Sequence, residues 1–310
     1  MRILTGARVP QGAGAVIMQE HAVRKNDWLF IERAPRPGQH IRRQGEDLRR
    51  GERVLKPGTR LRPQELGLLA ALGRRTVRVY RRPTVAILST GDELQRPGTR
   101  LRPGCIYESN GMLVEALVRQ AGGTAKRLGV VRDAGTALRA AVWRGLSADV
   151  LVMTGGVSVG DKDGVRQAAR QAGVRQLFWK VNIKPGMPLF AGRSRRTLVF
   201  GLPGNPVSVF VTFEEFVKPA LRRLMGQAWE DGYTATATLA SDLRVSATRR
   251  TQFIRVFCTG ENGSTMVAPL EGQGSHHLRS LVEADGWIRV VSDGRVQPAG
   301  TTVSLKRSES

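Results

Sequence analysis

The sequence predicts an α/β protein: a three-layer sandwich built on a largely parallel sheet, with a β-rich unit before it and a small β-barrel after it. Three observations lead there. Strand-like and helix-like segments alternate between residues 76 and 228, which is how a parallel sheet covered by helices on both faces reads in sequence. Glycine-rich or acidic stretches fall where the strand-like segments end, the place where open α/β sheets hold their ligands. Past Gly226 the pattern turns to short alternating runs, such as 235–239, 253–257 and 287–291, suited to a small barrel or sandwich. The implied divisions are 1–45 (β-rich), 46–82 (linker and helical part), 83–228 (sheet domain) and 229–310 (barrel).

Composition narrows the class. A chain of 310 residues with 41% hydrophobic and 24% charged residues can bury a core without covalent staples. Two cysteines, Cys105 and Cys258, give neither a disulfide framework nor a zinc spacing, which suits a reducing cytoplasm. No apolar run reaches the roughly 18 residues of a bilayer span, and the first residues lack a signal-peptide core. The formal charge of +23 favours anionic ligands. Its arginines are scattered as pairs, such as Arg42-Arg43 and Arg249-Arg250, rather than gathered in a stripe with aromatics, so nucleic acid is not the favoured partner.

Taken in order, residues 1–45 alternate short apolar pieces with turn residues. Pro63 sits in the first turn of an apolar-periodic helix over 64–72 that Gly73 closes. A strand over 84–88 runs into Ser89-Thr90-Gly91-Asp92-Glu93-Leu94, and after a loop closed by Asn110 a helix covers 111–120. A strand near 125–131, the turn Arg132-Asp133 and a helix over 136–146 follow. Residues 150–153 form a short apolar run, the reading of a strand buried on both faces, and the chain then breaks into glycines.

That break is the chemical centre of the sequence. Gly155, Gly156 and Gly160 let the backbone approach a ligand and turn successive N–H groups into one concavity suited to an anion. Ser158 adds a hydroxyl, and Asp161 and Asp163 add carboxylates of the kind that hold magnesium against phosphate oxygens. A helix over 164–171 follows. In an extended segment 178–186, Lys180, Asn182 and Lys184 would share one cationic face, and Pro185-Gly186 would hold Lys184 at a rim; lysines guarding an edge strand are the simpler alternative. A last strand over 197–200 leads to the stiff loop Gly201-Leu202-Pro203-Gly204-Asn205-Pro206-Val207-Ser208, inside which a helix over 207–224 begins with its N–H groups free.

Four of these strings, 89–94, 154–161, Lys184-Pro185-Gly186 and 201–208, together resemble the molybdopterin molybdenumtransferase family, which includes the E domain of gephyrin. The resemblance spans nearly the whole chain, reaching residues 4–7, 42–47 and 273–276. It implies insertion of molybdate into adenylyl-molybdopterin with release of AMP, a Mg2+ cofactor, a cytoplasmic homodimer, and transient contacts with other molybdenum cofactor biosynthesis proteins. Carried over by position, Asp163, Lys184, Lys180 and Asp133 take the catalytic roles, with Asp163 and Glu93 at the metal. Thr90, Gly91, Asp92, Glu93, Gly155, Gly156 and Ser158 surround the pterin nucleotide, as do Pro185, Pro203, Gly204, Asn205, Pro206 and Ser208. Thr5 and Asp47 match positions contributed by other domains across a dimer interface. Arg250 and Arg255 are secondary candidates for the oxyanion, and His276 and His277 read as surface residues. Family members carry a further amino-terminal stretch, and this chain is expected to begin after it. The competing readings are a shortened, non-catalytic relative that binds pterin or serves as a scaffold and, less favoured, a basic nucleic-acid binder.

Overall fold

A computed structural model describes residues 1–133, 135–157, 164–260, 265–291 and 293–308. Two compact units are present, Met1–Pro57 and Gly58–Ser310. In the first, β1 (Ala22–Lys25) and β2 (Trp28–Ile31) form an antiparallel hairpin that turns at Asn26, whose φ of 52° is left-handed. Val23, Trp28, Leu29 and Phe30 are all exposed on it.

The second unit opens with α1 (Pro63–Ala71), started by its proline as the sequence predicts. Next come β3 (Thr84–Thr90), the short β4 (Leu94–Gln95) and β5 (Ile106–Tyr107), α2 (Asn110–Gln120), β6 (Thr124–Val131), α3 (Thr136–Gly145) and β7 (Val150–Thr154). They are followed by α4 (Gly164–Gln171), β8 (Arg175–Trp179), β9 (Ile183–Lys184), β10 (Phe190–Ser194), β11 (Thr197–Leu202) and α5 (Pro206–Thr212). One π-helical turn, Phe213–Val217, joins α5 to α6 (Lys218–Leu224).

The main sheet has the order β6-β3-β7-β11-β10-β8. β3 pairs in parallel with β6 and β7, and β7 with β11, while β10 runs antiparallel to both β11 and β8. Five of the six strands therefore point the same way, and the loops after β3, β6, β7 and β11 emerge along one edge. Side chains alternate across the sheet, so Val85, Ile87, Val150 and Val152 pack under α2, α5 and α6. Ala86, Leu88, Leu151 and Met153 pack under α3 and α4. Helices on both faces explain why β7 is apolar from Val150 to Met153 and buried along its whole length.

The carboxyl-terminal strands are β12 (Ala235–Leu239), β13 (Leu243–Arg244), β14 (Thr251–Thr259), β15 (Met266–Pro269), β16 (Gly286–Val291), β17 (Val296–Gln297) and β18 (Thr302–Arg307), with the short α7 (Arg279–Glu283). β15, β12, β18, β16 and β14 pair in a closed ring of five strands. Leu239, Ile254, Val256, Val267, Ile288 and Leu305 fill it.

The structure revises the reading of 178–186. β8 stops at Trp179, and Lys180 has a left-handed φ of 63°, so the alternation does not run through to Lys184. β9 does not join the main sheet, and it is the edge strand beside the barrel, in keeping with the simpler alternative. It pairs in parallel with β14 of the barrel, Ile183 opposite Thr251 and Lys184 opposite Gln252.

Candidate active site

Two clefts meet at the loop edge of the sheet, sharing Pro188, Pro203 and Asn205 in their walls. The first, about 640 Å3, lies over the ends of β3, β6, β7 and β11. The chain leaving β3 crosses through α2 to β6, while that leaving β7 crosses through α4 to β8. This reversal between neighbouring strands opens a crevice at their carboxyl ends.

Glycines let the loops close on one another there. Gly155 has a φ of 86°, and a Cβ on it would lie 2.2 Å from the carbonyl oxygen of Thr90. Its N–H donates to Leu202 O at 3.1 Å, tying the β7 loop to β11. A Cβ on Gly156 would lie 2.8 Å from Thr90 Oγ1 and 3.2 Å from Asp133 Oδ1. The glycine loop thus lies flat against the end of β3, with Thr90 and Asp133 beside it.

Glu93, Asp133, Thr90, Gly155 and Gly156 all line this first cleft, as do Pro203, Gly204, Asn205 and Pro206. Asp133 Oδ1 is buried and has no hydrogen-bond partner, an arrangement that calls for a bound donor or cation. Gly91 is buried beside the cleft and donates to Val131 O at 3.2 Å, whereas Asp92 is exposed and outside the lining. Among the described residues no cluster of three or more His, Cys, Asp or Glu side chains is set up for a metal. Ser158, Asp161 and Asp163 lie outside the described residues.

The second cleft, about 650 Å3, runs between the sheet domain and the barrel. It is the cationic end. Lys184, Arg244 and Arg250 line it with Pro185 and Ser208, and Lys184 Nζ donates to Ser246 Oγ at 3.4 Å. The barrel loop 272–275 is seated on the start of α5: Asn205 Nδ2 donates to Ser275 Oγ at 2.8 Å, and Val207 N–H to Ser275 O at 3.0 Å. One of the helix N–H groups read as free is therefore already used. Arg255, 2% exposed, lies outside both linings and supports that loop through Nη2 to the Gly272 and Gly274 carbonyls. Burial pushes its guanidinium below the ordinary arginine value.

Lys180 joins neither cleft. Its Nζ lies 4.3 Å from the centre of the Trp179 ring, against which the Arg166 guanidinium also packs at 3.6 Å. Thr5 and Asp47 are exposed in the amino-terminal unit. Sequence reasoning missed Glu108, Asn110, Arg244 and Ser246. Asn110 announced itself only as a residue ahead of a helix, the ordinary signature of a cap.

Residues 86–223 match the family described as "Probable molybdopterin binding domain". Residues 1–73 match "MoeA N-terminal region (domain I and II)", and 236–306 match "MoeA C-terminal region (domain IV)". A Haemophilus influenzae protein named Molybdopterin molybdenumtransferase is 37% identical over 99% of this chain and 76% of its own length. The chain belongs to the molybdopterin molybdenumtransferase family. Within that family, Molybdopterin molybdenumtransferase 2 of Mycobacterium tuberculosis is 38% identical over 98% of this chain and 76% of its own. The crystal structure of the molybdopterin biosynthesis moeA protein from Pyrococcus horikoshii OT3 superposes with a TM-score of 0.78 at 32% identity, covering 99% of this chain and 74% of that one. This chain thus spans about three quarters of the relatives it matches. Among the described residues no helix is long and apolar enough to cross a membrane.

Proposed function

We propose that this chain is a molybdopterin molybdenumtransferase, inserting molybdate into adenylyl-molybdopterin with release of AMP. The observation that carries the proposal is a pair of adjoining clefts, one lined by carboxylates and the other by cations. An adenylylated pterin brings a phosphoanhydride that needs backbone donors and a divalent cation, and molybdate is a dianion that needs fixed positive charge. The two clefts supply these separately and adjoin at Pro203 and Asn205.

Glu93 and Asp133 fit Mg2+, which takes one or two carboxylates and fills its remaining positions with water and phosphate oxygens. The unpartnered Asp133 Oδ1 supports that fit, and Asp163 is the third carboxylate in the proposal. When bound, the ion supplies charge neutralisation at the phosphoanhydride. The chain's own groups do the rest. The Gly155-Gly156 backbone, packed too close to Thr90 for a Cβ, forms the stretch of cleft wall that the phosphates would meet. Lys184, with Arg244 and Arg250 in the same wall, holds the oxyanion beside the dithiolene, and Ser208 shapes the floor. Fixed cations stabilise the charge that develops as AMP departs.

The family resemblance further supports a homodimer in which Thr5 and Asp47 complete a partner's site, acting in the cytoplasm and handing its product on through transient contacts. The exposed apolar residues of the amino-terminal hairpin favour such a partner surface. Incubating purified protein with adenylyl-molybdopterin, molybdate and magnesium tests the assignment, with AMP and cofactor followed together. Both products should appear in step, and Asp163→Ala should abolish AMP release. Absence of both products in the unsubstituted protein would refute the proposal.

A further inference from the structure

We infer that Asn110 is a specificity residue that accepts a hydrogen bond from a ring-borne N–H of the bound ligand. The inference rests on the transferase reading, because it concerns the same cleft. Asn110 opens α2 and reaches across to the β11–α5 loop, where its Nδ2 donates to Gly204 O at 2.7 Å. A carbonyl oxygen only accepts, so the amide has one possible orientation: NH2 toward Gly204 and Oδ1 away from it. That Oδ1 is buried in the protein and has no hydrogen-bond partner. An acceptor left in this state costs free energy, and such a cost is repaid where a ligand brings the missing donor.

The residue is held from beneath. Glu108, 2% exposed, accepts hydrogen bonds from Ser89 Oγ at 3.0 Å, from the Gly111 N–H, and from Arg127 Nη2 at 3.1 Å. The backbone on both sides of Asn110 is thereby fixed, and rotating its amide would break the Gly204 contact. Asn110 shares its cleft with Glu93, Asp133 and Gly155.

The chemistry of the orphan atom selects its partner. Phosphate oxygens, ionised carboxylates and molybdate carry no proton to give, so the anionic parts of the substrate cannot satisfy a neutral amide oxygen. A cation is drawn first to the charged carboxylates Glu93 and Asp133 in the same wall. What remain are the neutral donors, the ribose hydroxyls and the amino or imino groups of the fused heteroaromatic rings, of which we take the ring-borne N–H. An adenylylated pterin carries two exocyclic amino groups, the 6-amino group of adenine and the 2-amino group of the pterin, beside the N–H groups of the pterin ring itself.

Calorimetric titration with two matched pairs in the presence of magnesium separates these sources. One pair is AMP and purine riboside 5′-monophosphate, which lacks the 6-amino group; the other is pterin and lumazine, which carries an oxo group in place of the 2-amino. The unsubstituted protein should prefer the amino-bearing member of one pair by about threefold to tenfold, the usual weight of one neutral hydrogen bond. Asn110→Ala should abolish that preference while leaving the affinity for inorganic pyrophosphate unchanged, which also shows that the variant is folded. No preference in either pair, or a preference that survives Asn110→Ala, would overturn the inference. So would a preference for AMP over 2′-deoxy-AMP that Asn110→Ala removes, since the donor would then be a hydroxyl. Failure of the transferase reading itself appears separately, as absent AMP release from adenylyl-molybdopterin.

Discussion

Gly155 and Gly173 make a matched pair for testing how tightly the glycine loop is fitted. Both have left-handed backbones, φ 86° and 78°, but a Cβ on Gly173 meets nothing within 4 Å whereas one on Gly155 would lie 2.2 Å from Thr90 O. Gly173→Ala should therefore show the conformational term alone, about 1 kcal/mol once the stiffer unfolded chain is set against the cost of the left-handed region. Gly155→Ala carries the same term and a backbone collision in addition. Because real Cβ contacts stay beyond 3.0 Å, the loop must retreat by most of an ångström, which pulls Gly155 N–H off Leu202 O. Overpacking of about 1–3 kcal/mol and a lost hydrogen bond of about 0.5–1.5 kcal/mol bring the total to about 3–5 kcal/mol. At about 2–4 °C per kcal/mol for a domain of this size, Gly173→Ala should lower the melting temperature by a few degrees and Gly155→Ala by about 6–20 °C. Thermal melting by circular dichroism measures both, and AMP release should fall only in Gly155→Ala. Equal shifts in the two variants would refute the close approach of the loop to β3 and with it the cradle.

Lys184→Ala should raise the molybdate concentration needed for half-maximal AMP release by about 10- to 100-fold, the weight of one charge-assisted hydrogen bond. Melting should change little, because Ser246 Oγ is the partner the exposed ammonium meets. Asp149 carries a pH prediction. The Arg81 guanidinium first, then the Thr84 N–H and hydroxyl, hold its carboxyl well below the usual carboxylate range. A carboxyl depressed in the folded state adds stability above the unfolded value of about 4 and loses it as the pH falls. Asp149→Asn should flatten the acid limb of a denaturant-melting series below about pH 5; an unchanged limb counts against that ion pair. Glu108→Gln should cost about 1–3 kcal/mol by removing the buried carboxylate that Arg127 meets at 3.1 Å, leaving it only Glu115 at 3.9 Å. Chemical denaturation reads the loss, and the Asn110-dependent ligand preference should weaken with it.

Much of the fold was legible because its signals are local. Pro63 starts its helix, the helix over 164–171 has the predicted bounds, and the apolar run before Gly155 is a strand buried on both faces, since each of these depends on periodicity and punctuation within a few residues. The loops after β3, β6, β7 and β11 share one edge because parallel strands leave them no other place. What escaped the sequence depends on distant partners. Asn110 meets Gly204 and Asn205 meets Ser275, contacts separated by 94 and 70 residues, and neither has a pattern of its own. Lys180 and Lys184 looked like neighbours on one face because alternation assumes an unbroken strand. The left-handed residue at Lys180 and the pairing of β9 with β14 override it.

That pairing has a consequence for how the two clefts are governed. The ammonium of Lys184 belongs by chain order to the sheet domain, yet its backbone is stitched into the barrel, which also presses on the first turn of α5 through Ser275. The distance between the acidic and basic clefts is therefore metered by how the barrel seats, and under the proposed function a substitution buried inside the ring of strands would retune oxyanion capture without touching any residue that meets it.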